Sequence, residues 1–412
     1  MTGGRNRAWI LGLFVALALT NRYEDPAQPT FTGPGDVYAY VTLAQSAPGL
    51  PYTHPPRDLF AFHHAQRLAI PYVLGLIHDA VPVPIHRLFQ AAVVVSGLAI
   101  LLLFARMLDD LAVGRRQAGI VLAVLALNPW AFRPYLTFPE MVADLGFVLG
   151  LAILLRGLLS GNPAALLVGQ LVASLSRQTG LLIVPMVVWW LWRDRTTWGG
   201  IARSERLTLG LTTLVLAAGV YAGTGHVAAR FAGDDVNAVH ILGIGEWMAS
   251  EFDLAVLAAF LLRAAAAALI PLAFFLALVR RWRAHREHSD CFPLLLFVSI
   301  CIAAQPLLGG PDITAGNGPR LVTLGLLPLC LALAIKLRDA GVFVDTGGVR
   351  PLPLIVALLA LASLHHFYVV AAVPSFGDKA LFAVTYAAAA TGCFLITALE
   401  ARNRADAPLQ AT

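Results

Sequence analysis

The chain has 412 residues, of which 58% are hydrophobic and only 13% charged, and its mean hydropathy is +0.74. That profile excludes a soluble globular domain and fits a polytopic membrane protein. In such a chain the formal net charge of +5 points to basic cytoplasmic loops that set topology rather than to nucleic acid.

Arg5 and Arg7 precede an apolar run over 8–20. A cleaved signal peptide has this shape, but an uncleaved anchor fits a chain that continues through many apolar segments. The polar stretch 21–67 follows, with Glu24, Asp25, Asp36, His54, Arg57, Asp58, His63, His64 and Arg67, so groups able to do acid, base or phosphate chemistry are concentrated there. Segment 68–82, LAIPYVLGLIHDAVP, is apolar but carries Pro71, His78 and Asp79, and reads as re-entrant or interfacial. Further apolar segments lie near 86–106, 117–131, 139–158, 162–175, 179–192, 207–223, 254–279, 291–308, 320–337, 352–372 and 379–399. Judged against the roughly 20 residues needed to cross the hydrocarbon core, and with 8–20 included, these predict about twelve transmembrane helices. Several are short, which implies tilt or local thinning. The expected fold is an all-α polytopic protein, a single integral-membrane domain over 1–412, with 21–67 as its first outer loop and 400–412 as a polar cytoplasmic tail.

Orientation follows from the basic loops. Arg5 and Arg7, Arg106 with Arg115 and Arg116, Arg193 with Arg195, Arg203 and Arg206, the run RRWRAHR at 280–286, Lys336 with Arg338, and Arg402 with Arg404 fall on one side, which is read as the cytoplasm. Both termini are then cytoplasmic, and 21–67, 131–138, 224–253, 309–319 and 373–378 face outward. The richness in Ala, Leu, Gly and Arg suggests a bacterial inner membrane. No ATP or nucleotide sugar is normally available on the outer face, and the sequence lacks GxxxxGK[ST] and a GxGxxG in a strand-to-helix context. An enzyme working there needs an activated donor delivered through the membrane, most simply as a lipid-linked phosphate.

Five motifs in order carry a resemblance: GDVYAYVTLAQ (35–45), FHHAQRLAIPYVLGLI (62–77), FRPYLTFPEMVADLGFVLGLAILL (132–155), SLSRQTGLLIVP (174–185) and GNGPRLVTLGLLPL (316–329). Together with one span before a long outer loop, they resemble the GT-C superfamily of integral-membrane glycosyltransferases, in particular its mannosyltransferase-like members. The resemblance covers about the first two thirds of the chain. It implies transfer of a hexosyl or pentosyl group from a polyprenyl-phosphate-linked donor to a glycan, lipid or protein acceptor on the extracytoplasmic face. It also implies an acid in the first outer loop, followed by Tyr and a small residue at helical spacing, as catalytic base. Asp36 with Tyr38, Tyr40 and Ala44 fits. Many members carry a second acid beside the first; Val37 stands there in this chain, leaving Glu24, Asp25 and Glu140 as partner candidates.

The residues support these roles on physical grounds. An acceptor hydroxyl attacking an anomeric carbon must lose its proton, and a carboxylate within hydrogen-bond reach is the simplest base. Alternatively, Asp36 caps a helix starting at Val37. Glu140 follows Pro139 at the outer mouth of a predicted span, with Asp144 one turn further on, where an acid faces an interior or wet cavity or merely favours the helix dipole. Arg67 sits where the outer loop re-enters the membrane, Arg177 and Arg320 break the cytoplasmic bias of the other arginines, and a guanidinium forks onto phosphate oxygens; snorkelling to headgroups is the bland alternative for the last two. His63 and His64 suggest hydrogen bonds to a sugar or diphosphate, because adjacent histidines diverge and no acid completes a zinc-like set. No cofactor is required, although Asp36 and Glu140 could share a divalent metal ion. Cys291, Cys301, Cys330 and Cys393 lack CxxC spacing and read as buried structural thiols. Trp130, Tyr135, Trp189, Trp190 and Trp192 suit an interfacial belt, and Trp247 is a candidate substrate contact. The competing class is a secondary transporter or lipid-linked saccharide flippase, which would hold charges near the midplane in broken helices and show internal repeats.

Overall fold

A computed structural model describes residues 3–21, 34–51, 62–194, 197–231, 254–282, 291–309, 320–344, 351–364 and 376–406. Among these there are α-helices and short 3-10 turns and no strand. The α-helices are α1 (Gly3–Thr20), α2 (Pro34–Ser46), α3 (Phe62–Ala65), α4 (Ala69–Ala80), α5 (Ile85–Asp110) and α6 (Arg115–Ala126). Next come α7 (Arg133–Thr137), α8 (Val142–Ser160), α9 (Pro163–Ser176), α10 (Gly180–Arg193) and α11 (Arg203–Ala228). The last group is α12 (Leu254–Ala267), α13 (Leu269–Trp282), α14 (Cys291–Ala303), α15 (Leu326–Asp339), α16 (Pro351–Leu364) and α17 (Phe376–Asp406).

Five stretches are long and apolar enough to cross a membrane: Ile85–Asp110, Pro139–Ser160, Arg203–Ala228, Arg320–Asp339 and Ala380–Asn403. A sixth arises if α12 and α13, bent by 77°, count as one broken span. Six shorter apolar helices accompany them, so the described lengths support five or six full crossings where composition suggests about twelve. Two of the differences have local causes. The expected span 117–131 ends at Ala126 because Asn128 precedes Pro129, which disfavours helical backbone, and the Asn128 Oδ1 accepts from Trp130 N at 3.0 Å to close a turn. The expected span 254–279 breaks because Pro271 cannot donate to the Ala267 carbonyl; that carbonyl accepts instead from Asn128 Nδ2 at 3.0 Å.

The hairpin of α8 and α9 is the most extensive helix–helix contact. Its turn is written in three residues. Gly161 takes the left-handed conformation (φ +66°) that ends α8, Asn162 caps α9 by accepting from Ala165 N at 3.1 Å, and Pro163 occupies the first helical position. The helices then press backbone on backbone: a methyl group on Gly150 would overlap Ala173, and one on Gly169 would overlap Leu154. This close approach holds the end of α9 against the start of α8.

The bundle has two chemically distinct ends. At one, Arg338 Nη1 donates to the Leu111 carbonyl at 2.6 Å, Gln117 Nε2 donates to the carbonyls of Leu337 and Val342 at 2.8 and 2.7 Å, and Trp198 Nε1 donates to the Leu158 carbonyl at 2.9 Å. This end collects the C-termini of α5, α8 and α15 and the basic residues beside them. At the other, Asn21 Nδ2 donates to Thr137 Oγ1 at 3.1 Å. Arg133, fully buried, donates from Nε to Ser363 Oγ at 2.6 Å and from Nη2 to Thr20 Oγ1 at 3.3 Å; burial pushes its pKa down to about 10, which leaves it charged at neutral pH. Helix α5, 26 residues long, runs from this second end to the first. Helix α4 starts beside Arg67 and finishes next to the start of α5.

Some aromatic residues depart from the belt reading. Trp189 and Trp192 are exposed, but Trp190 is fully buried, its Nε1 donating to Asp194 Oδ2 at 3.2 Å, and Tyr135 is buried. Trp130 packs edge-on against Phe382 and Tyr386. In each case packing between helices, which spacing along one helix does not report, replaces the interface. Cys291, Cys330 and Cys393 are buried and Cys301 partly so, all as free thiols.

Candidate active site

Three arginines distant in sequence meet at the end of the bundle opposite the basic loops. Arg177 is the residue where α9 stops, its backbone extended and its N donating to the Ala173 carbonyl at 3.0 Å. Its side chain is 3% exposed, and Nη1 donates to Asp144 Oδ1 in the first turn of α8. The other Asp144 oxygen, Oδ2, lies 3.4 Å from Arg320 Nε. Arg320 leads into α15, is partly exposed, and reaches Met141 Sδ with Nη1 at 3.5 Å. Asp144 therefore bridges two guanidinium groups.

Arg67 completes the group from the turn between α3 and α4. Its Nη1 donates to the Tyr40 hydroxyl and its Nε to Gln178 Oε1, both at 3.2 Å, and Gln178 Nε2 donates to Gln66 Oε1 at 3.0 Å. Tyr40, on α2, meets the buried His64 edge-on at 5.7 Å. Burial, Arg67 and Arg320 all act against the charge on Arg177. Among the described residues Asp144 engages two of the three guanidinium groups and Arg67 is held by neutral partners, an arrangement of fixed donors suited to an anion.

Glu140 lies in the 3-10 turn Pro139–Met141, is 2% exposed, and its Oε1 has no hydrogen-bond partner among the described residues. The sequence reading set Glu140 and Asp144 on one helical face; α8 instead begins at Val142, so Pro139 turns Glu140 into a separate 3-10 segment and only Asp144 reaches the arginines. Among the described contacts none joins Glu140 to the cluster.

Asp36 and Tyr38 belong to α2, which starts at Pro34 rather than Val37. Asp36 is thus in the first helical turn rather than at the cap, because the proline is already set for helical φ. The side chains of Asp36, Tyr38 and His63 lie outside the described residues, as do Glu24, Asp25 and Trp247. The Asp36 and Glu140 pair considered for a metal ion therefore falls partly outside them; among the described residues no three His, Cys, Asp or Glu gather as a metal site. Sequence reasoning named Arg67, Arg177 and Arg320 and missed the roles of Asp144, Gln66 and Gln178. Asp144 had one signal, an acid one turn inside an apolar span; the glutamines had none.

The apo oligosaccharyltransferase of Archaeoglobus fulgidus superposes over 95% of this chain with a TM-score of 0.50 at 14% identity. The chain shares the fold of that neighbour. A second solved structure, the archaeal oligosaccharyltransferase AglB of the same organism in complex with an inhibitory peptide and a dolichol-phosphate, gives a TM-score of 0.49 at 15% identity, again over 95% of the chain. The chain spans 56% of the length of either neighbour. No family model matches the sequence, and no curated protein does. That likeness is one of fold alone; what the cluster does rests on its own chemistry.

Proposed function

We propose that the protein is a membrane glycosyltransferase that takes a hexosyl or pentosyl group from a polyprenyl-phosphate-linked donor. The observation that carries this reading is the cluster of Arg177 and Arg320 on Asp144, with Arg67 beside them, at the end of the bundle away from the basic loops. The guanidinium groups fork onto the donor's phosphate oxygens, and its lipid tail reaches the cluster from within the bilayer. In the reaction the acceptor hydroxyl oxygen attacks the anomeric carbon, the bond from that carbon to the phosphate oxygen breaks, and the lipid phosphate leaves as an anion onto the arginines. Guanidinium groups fixed where this charge develops lower the barrier without reorganising. Asp36 takes the hydroxyl proton, Glu140 supports it from α8's approach, and Tyr38, His63 and His64 line the sugar side. A single displacement inverts the anomeric centre. The acceptor is a glycan, lipid or protein on the extracytoplasmic face of a bacterial inner membrane, with about twelve crossings once the shorter helices are counted.

Transport gains no comparable observation, since the described ion pairs sit at helix ends rather than at the midplane. The test compares polyprenyl-phosphate-linked sugars in lipid extracts of cells lacking the protein, cells with it restored, and cells carrying Asp36→Asn or Arg320→Gln at matched membrane levels. One lipid-linked sugar should accumulate in the null and both variants. In vitro, Asp36→Asn should lose about 10²- to 10⁴-fold in kcat with little change in KM. Unchanged lipid pools, with both variants restoring whatever the null lacks, would sink the glycosyltransferase reading.

A further inference from the structure

Away from the arginine cluster, an apolar groove runs between α10 and α11. It consists of two adjoining cavities of about 710 and 240 Å³ that share Val188, Trp192 and Leu214 as lining. Gly210 keeps it open, since a Cβ there would stand 3.2 Å from Val188 Cγ2. Its apolar end begins at Leu181, and its other end is closed by Arg203 and Arg206. From Leu181 to Trp192 along α10 is about 16 Å at 1.5 Å per residue, close to half of the ~30 Å hydrocarbon core. The groove is therefore about one leaflet deep, and its charged end lies among the basic loops, on the far side of α10 from Arg177.

The two arginines are placed to receive an anion. The Arg203 guanidinium lies 4.0 Å from the centre of the Trp192 ring, which fixes it at the mouth of the groove. Arg206 Nη1 donates to the Leu191 carbonyl at 3.2 Å, while its buried Nε has no hydrogen-bond partner among the described residues. Glu205, between them in sequence, is engaged by the Ala202 N–H at 3.2 Å as part of the helix cap, and no described carboxylate pairs with either guanidinium.

We propose that this groove binds an anionic phospholipid of the leaflet on the basic side, with its phosphodiester on Arg203 and Arg206 and an acyl chain against Val188, Trp192 and Leu214. Basic pockets between membrane helices suit anionic headgroups in this way. A lipid-linked donor with its phosphate at Arg177 cannot place the same phosphate here, one helix length away.

Native mass spectrometry of the full-length protein in neutral detergent tests this, with phosphatidylglycerol and phosphatidylcholine of identical acyl chains. The wild type should retain phosphatidylglycerol at about tenfold lower concentration than phosphatidylcholine. Arg203→Gln/Arg206→Gln should abolish that preference, and Gly210→Leu, which keeps both arginines and fills the groove, should weaken retention of both lipids. Arg115→Gln/Arg116→Gln, at another basic loop, should leave it intact. If the Arg206 variant does not fold, Arg203→Gln alone and Gly210→Leu still decide the matter. Equal retention of the two lipids by the wild type, unchanged preference in the Arg203 and Gly210 variants, or loss of preference in the Arg115/Arg116 variant would each overturn the proposal. Displacement of phosphatidylglycerol by polyprenyl phosphate, with the arginine variants still binding polyprenyl phosphate, would assign the groove to the donor's tail and overturn it as well.

Discussion

Asp144 decides whether three arginines can coexist. It accepts from Arg177 and lies 3.4 Å from Arg320, so Asp144→Asn leaves Arg177 buried without its counter-ion. Breaking one partner of a buried pair costs about 3–5 kcal/mol, which should appear as a lowered unfolding midpoint in detergent. Arg320 is more exposed and should be removable at less cost: Arg320→Gln is expected to keep most of the stability while weakening donor binding about 10- to 100-fold, the worth of a charged hydrogen bond. Combining the two should restore part of what Asp144→Asn loses, because one of the two mutually repelling cations is gone. A double variant no more stable than Asp144→Asn would show that Asp144 does not act as the bridge. The arginines could be picked from sequence because they broke a topological rule, standing outward where basic residues are expected inward. Asp144 and its pairing could not, since which cation reaches an intramembrane acid depends on how two helices approach.

That approach belongs to α8 and α9. The sequence Ser160-Gly161-Asn162-Pro163 announces a tight helical hairpin, and the structure has one. The register that brings Arg177 to Asp144 is set by Gly150 and Gly169, whose missing side chains let backbones touch, as in membrane interfaces built from small residues. Gly150→Leu or Gly169→Leu should force the helices apart, so that folding yield and activity fall together and no added lipid donor restores them. Gly219→Ala is the control: nothing lies within 4 Å of its added Cβ, and replacing Gly in a helix interior should be neutral or stabilise by up to about 1 kcal/mol. An element boundary was readable where proline fixed it, as at Pro163, whereas the predicted span 117–131 ran through Asn128 and Pro129, where the helix has already ended. Boundaries were also misjudged at α2, where Pro34 begins the helix two residues before Asp36, and at 254–279, where hydropathy runs unbroken through a bend whose cause is a single missing donor at Pro271.

At the scale of the molecule the two ends make opposite demands on the solvent they meet. One end gathers the C-termini of α5, α8 and α15 with Arg338 and the basic loops; the other gathers Arg67, Arg177 and Arg320, with Asp144 between the last two. If the basic loops face the cytoplasm, the cluster opens outward, and the two ends must differ in access to a reagent that cannot cross the bilayer. Asp79, exposed on the last turn of α4, and Gly200, exposed with open space around its Cβ, report on them. The native thiols interfere little, being buried except for Cys301, which Cys301→Ser removes. In intact cells a membrane-impermeant maleimide should label Asp79→Cys, and should label Gly200→Cys only after permeabilisation. Labelling of both in intact cells would mean that α4 to α10 do not separate the two ends across the bilayer. The reverse pattern would place the arginine cluster where nucleotide sugars are available. In that case a soluble activated donor would replace the lipid-linked one, and the guanidinium groups of Arg67, Arg177 and Arg320 would be read as a nucleoside diphosphate site.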